Sequence, residues 1–352
     1  MKLGSDRLRV AAGLGPAPRY RLGSGPFLAA LASRLSAGTG DRADRCAYAL
    51  LAAVGFAIGW ASAARPATLP VWAPWDFSAV AFATASLSLW WFSRGVAASG
   101  RGTRPSLLRQ MSFVGGVAVI YAVTQTRFEY LAEHMFVLNR IQHVAMHHLG
   151  PMLIALAWPG EALMRGMPAP LRRLVERPAL VAAVRWIQHP TTASLLFVGL
   201  IFLWLIPEVH FRAMIDRKVY WAMNWSMIID GILFWSLVLD PRPSPPAPNG
   251  YPTRAAVALL VMFPQILGGA TIAFAHRDLY PYYELCGRAF PTVGALADQC
   301  WGGLVIWIPP AMTSVVGVLL TLDRFRRWQA QEDAEAPADS SEIGLRAKRW
   351  TG

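Results

Sequence analysis

Charge is scarce in this chain of 352 residues: 15% are Asp, Glu, Lys or Arg, against about 25% in an average soluble domain. With 55% hydrophobic residues, that deficit excludes a disordered chain and an ordinary soluble enzyme. Three cysteines are too few for a disulfide-built secreted scaffold. Gly-x-Ser-x-Gly, a phosphate loop and zinc-protease spacing are all missing, so hydrolysis has no motif to rest on and no enzyme activity is expected. The first residues lack the short apolar core of a secretory signal, and no internal repeat is visible.

What the chain has instead is long uncharged apolar runs. Eight stand out, at 46–64, 77–93, 110–126, 141–160, 186–207, 219–239, 255–275 and 299–322, all without charge except for Asp230 in the sixth. Each approaches or exceeds the ~20 residues a helix needs to cross about 30 Å of hydrocarbon. The expectation is an all-α, polytopic membrane bundle of about eight spans, with seven as the alternative count. Residues 1–45 would form a basic tail, 46–322 the membrane domain and 323–352 a charged tail, helical at first. The Pro-rich connector 241–252 cannot be helical. With eight spans and both termini in the cytoplasm, 25 of the 33 Lys and Arg fall on the inner side, as the positive-inside rule requires. The formal charge of +12 then reflects topology in a bacterial inner membrane, and nucleic acid is not an expected partner. Membrane lipid is one.

Polar residues at membrane depth need partners and mark function. Six of the seven histidines fall in or above the outer half on this map: His134, His143, His147, His148, His210 and His276. Asn139, His143 and His147 are spaced by four and share a helix face, while His148 points about 100° away. Imidazole beside the thioethers of Met135, Met146, Met214 and Met223 suits Cu(I) on the outer side. A ladder of hydrogen-bonded histidines fastening helices is the competing reading. Asp230, near mid-span, needs a proton, a wet cavity, or a partner in Arg140 or a histidine that it orients. Asp298 reads as a cap for its own helix, with Gln299 beside it. Cys286 and Cys300 could pair or stay free. Pro264 and the Pro309–Pro310 pair predict broken helices.

Several stretches in order resemble the CtaG family of caa3-type cytochrome c oxidase assembly factors. They are Gln142-His143 followed by Pro151-Met152-Leu153, then Trp204-Leu205-Ile206-Pro207, Phe234-Trp235 with Asp240-Pro241, and Leu279-Tyr280-Pro281. Asp298-Gln299-Cys300-Trp301-Gly302-Gly303 with Trp307-Ile308-Pro309 is the most specific. The resemblance covers roughly 75–322. It implies a membrane protein that matures a haem–copper oxidase, with oxidase subunits and a copper donor as partners and a role in copper handling. The family usually carries a histidine four residues before the Gln-His pair and another early in the sixth span; here Asn139 and Asn224 stand there. Two other functions compete: a b-haem electron carrier pairing His143 with His210 or His276, and a proton-coupled transporter using Asp230, Arg140 and kinked helices.

Overall fold

The computed structural model describes residues 26–65, 68–100 and 102–335. The chain divides into two compact units, Met1–Ala53 and Val54–Gly352, and the boundary falls inside α1 (Pro26–Ala64). Then follow α2 (Ala79–Ala97), α3 (Leu107–Thr124), α4 (Arg127–His134) and α5 (Phe136–Val144). A single π-helical turn, Ala145–Leu149, joins α5 to α6 (Gly150–Ala157). The short α7 (Gly160–Gly166), α8 (Ala169–Val175) and α9 (Pro178–Ile187) lead to α10 (Pro190–Leu205), α11 (Pro207–Ile215) and α12 (Arg217–Val238). The chain closes with α13 (Tyr251–Leu260), α14 (Met262–Ala273), α15 (Tyr282–Leu285) and α16 (Ala295–Glu335). No strand occurs among the described residues.

Among the described residues, five helical stretches are long and apolar enough to cross a membrane: Arg42–Ala64, Leu107–Thr124, Arg217–Val238, Tyr251–Ala273 and Ala295–Glu335. A sixth arises if α9 and α10, bent by 72° at Gln188–His189, count as one span. The remaining expected runs also fall on helices. That at 77–93 became α2, and that at 141–160 falls on α5, the π turn and α6, which follow one another without a gap. Large apolar side chains are exposed on several of these helices, among them Phe56 and Trp60 on α1, Leu107 and Leu108 on α3, Leu267 on α14 and Leu319 on α16. Such a surface suits a hydrocarbon environment.

The expected basic tail is helical from Pro26, and residues 1–25 lie outside the described residues, as do 336–352 of the C-terminal tail. The connector is irregular from 241 to 250. Pro252 sits in the first turn of α13, where its missing N–H leaves no bond unmade. Pro264 accounts for the break between α13 and α14 at Val261. The other expected break did not form: α16 runs unbroken through Pro309 and Pro310.

Candidate functional site

The site is built on α5 and the turn that follows it. Met135 precedes α5 and offers no side-chain cap. The cap arrives from a distant helix instead. Asp298 of α16, fully buried, accepts hydrogen bonds from the backbone N–H groups of Phe136 (2.9 Å) and Val137 (2.8 Å). Arg288 donates to the same carboxylate and to Glu284. Asp298 therefore caps α5, not the helix it belongs to. Gln299 anchors the loop before α15, accepting from Leu279 N–H and donating to the carbonyl of Arg277.

The π turn has an identifiable cause. Pro151 has no N–H to give the carbonyl of His147 four residues back, and its ring crowds that carbonyl. The helix widens by one residue, and Gly150 N–H bonds to the carbonyl of Ala145, five residues back. A Cβ at Gly231 of α12 would collide with the freed carbonyl of His147. Glycine there lets α12 come close enough for Asp230 to meet His147, Oδ2 to Nε2 at 3.0 Å.

The widened turn also places His148 inward. His147 and His148 are both buried, with their rings perpendicular at 5.0 Å, and His147 stacks on Phe197 at 4.1 Å. Thr313 gives its hydroxyl proton to the carbonyl of Pro310, so its oxygen accepts from His148 Nδ1 at 3.4 Å. His147 thus turns to α12 and His148 to α16, and both are buried because helices cover both sides of the turn.

One turn earlier, Arg140 lies buried over the Phe136 ring, 5.0 Å from its centroid, and donates to Asn139 Oδ1. It also reaches His210 Nδ1 at 3.5 Å. A guanidinium only donates, so His210 carries its proton on Nε2, which donates to Tyr283 Oη at 3.0 Å. Both nitrogens of His210 are thus engaged. Asn139 donates to Met214 Sδ at 3.9 Å. By contrast, His143 Nε2 and His147 Nδ1 are buried with no hydrogen-bond partner among the described residues.

The other expected ligands lie apart. His134 bonds the carbonyl of Tyr130 at 2.7 Å and stacks on its ring. His276 is exposed beyond the end of α14. Met135 is fully buried at the α4–α5 joint. Cys286 and Cys300 are free thiols. Outside the spans, burial pushes Glu133 up to about 7, and burial with Glu133 nearby raises Glu129 well above the ordinary carboxylate range.

A family model described as cytochrome c oxidase caa3 assembly factor (Caa3_CtaG) matches residues 87–328. The chain belongs to this family. Comparisons with curated proteins and with solved structures found no match.

In this Caa3_CtaG protein, the most specific sequence stretch is architectural. Asp298 and Gln299 fix two backbone segments, and a Cβ at Gly302 would strike the Phe136 ring. Gly303 and Gly269 bring α16 and α14 to backbone contact: a Cβ on Gly303 would lie 2.6 Å from the Gly269 carbonyl oxygen. Asn139, one of the two departures from the family pattern, is bonded to Arg140 and Met214. Asn224, the other, leaves its Oδ1 without a partner among the described residues. No three His, Cys, Asp or Glu side chains among those residues converge as a metal-binding group. A copper ion would have to rely on two imidazoles and soft sulfur. His143 Nε2 and His147 Nδ1 would be its nitrogens, and Met146, Met223 and Met227 are fully buried in the surrounding core. That donor set suits Cu(I).

Sequence reasoning missed Gly231, Phe197, Tyr283 and Thr313. Their signal is tertiary, and only Pro151 announced the π turn from within the sequence.

Proposed function

We propose that the chain matures a haem–copper oxidase by holding Cu(I) as cargo at the α5–π turn, on the outer side of a bacterial inner membrane. The observation that carries this reading is the pair of buried, unpartnered imidazole nitrogens on His143 and His147. Leaving a buried polar atom unmet costs about 1–3 kcal/mol, so such atoms point to a missing partner. Asp230 bonds the far nitrogen of His147 and so fixes the ring with Nδ1 toward the core. Arg140, one turn from His143, penalises a divalent ion more than a monovalent one, which favours Cu(I). No catalysis is required. The partners in this reading are oxidase subunits and a copper donor.

The topology belongs to the same reading: eight spans with both termini inside, supported by the 25-to-7 division of loop and tail Lys and Arg. The test is oxidase maturation in a strain lacking the protein under copper limitation. Wild type should restore oxidase activity, and His143→Ala/His147→Ala at equal abundance should not. Normal oxidase without the protein would overturn the proposal.

A further inference from the structure

Away from the histidines, a half-open cleft of about 450 Å³ runs between α2 and α12, floored by α3 and α6. Its far end is closed by Trp158 and Leu163, and small residues of α2 such as Ala81 and Ser88 line one wall. Most of the lining is apolar. The end where α2 and α12 begin and α3 finishes is different. There Glu129, Gln125 and Asn224 reach the cleft, and each is more than nine-tenths buried. Glu129 Oε2 and Asn224 Oδ1 have no hydrogen-bond partner among the described residues. Asn224 Oδ1 can only accept, and Glu129 Oε2 accepts once its carboxyl gives up the proton that burial helps it hold, an ionisation that a cation beside it favours. The missing group is therefore a donor, best a cation with several N–H bonds. Arg127 opens α4 and Lys218 lies in the first turn of α12, both at this end, so an anionic group attached to that cation finds positive charge there. A slot that is apolar along its length and accepting at one end fits a lipid.

We infer that the cleft is a specific site for a phospholipid with a primary ammonium head, of the phosphatidylethanolamine class. One acyl chain lies along α2 and α12, and the ammonium donates to Glu129 and Asn224. The site is separate from the proposed copper cargo and does not depend on it.

The test is native mass spectrometry of the full-length protein in mild detergent. The sample is first equilibrated with equal amounts of dioleoyl phosphatidylethanolamine, phosphatidylcholine and phosphatidylglycerol. One phosphatidylethanolamine should be retained per chain, about tenfold over the choline lipid, whose head has no N–H to donate. Glu129→Gln should lower that preference about tenfold, and Ser88→Trp, which fills the apolar end, should abolish retention. Where Glu129→Gln fails to fold, Asn224→Leu reads the same end, and the headgroup comparison on the unaltered chain stands alone. Equal retention of the three lipids would overturn the inference. So would retention unaffected by Ser88→Trp, or a protein segment occupying the cleft in place of lipid.

Discussion

At the scale of single residues, the site depends on contacts between side chains far apart in sequence. His147 and Asp230 are 83 positions apart and meet at 3.0 Å in a buried place. Replacing Asp230 by Leu strips a buried imidazole nitrogen of its acceptor, and thermal unfolding in detergent should show a loss of about 1–3 kcal/mol. Asp230→Asn keeps an oxygen that can accept from Nε2–H and should lose clearly less. Equal losses would mean that packing, not the hydrogen bond, holds this pair. Glu133 offers a test outside the spans. Burial raises its carboxyl to about 7, so the folded chain holds that proton more tightly than the unfolded chain. Stability should therefore fall as pH rises from the ordinary carboxylate range through about 7, and Glu133→Gln should reduce that slope. Glu129 is shifted in the same direction and adds to that slope.

At the scale of elements, Pro151 sets the phase of everything before it. Pro151→Ala returns an N–H and removes the cause of the widened turn. The protein should stay folded, the regained N–H bond offsetting part of the lost His147–Asp230 contact, while His147 and His148 rotate out of register and oxidase maturation falls severalfold. Unchanged maturation with unchanged stability would detach the π turn from function. The cap supplied by Asp298 is a stability feature: Asp298→Ala strips two backbone N–H groups and the buried Arg288 side chain of their acceptor and should cost about 3–5 kcal/mol, read by the same unfolding assay. The helices themselves were legible in the sequence, because uncharged apolar runs of this length leave little else for the backbone to do. What the sequence left hidden is how helices meet. The spacing of His143 and His147 predicted a shared face, but the turn between them is not α-helical, and His148 faces inward as well. Asp298 was legible as a cap, yet its partner lies 162 positions away. Pro309 and Pro310 predicted a break that α16 does not have.

At the scale of the whole molecule, family membership and the helical membrane architecture stand together. The match over 87–328 takes in the α5–π turn, α12 and most of α16. The candidate ligands of the sequence map do not form one centre. They separate into a His147–Asp230 pair, an Arg140–His210–Tyr283 chain, and two outlying histidines. Sidedness is open to a direct check through Cys286, an exposed thiol on the face that carries α4, α11 and α15. Burial of part of its surface pushes that thiol up, so labelling belongs at alkaline pH. A membrane-impermeant maleimide should reach it in intact spheroplasts; labelling only after lysis would reverse the topology.

The central claim is that two unpartnered imidazole nitrogens, His143 Nε2 and His147 Nδ1, await a monovalent metal. Titration of Cu(I) into the purified, reduced protein against a chromophoric chelator tests it most directly. One Cu(I) bound per chain, lost in His143→Ala/His147→Ala while the fold is kept, is the expected result. Equal Cu(I) binding by the two proteins, or none by either, would contradict it.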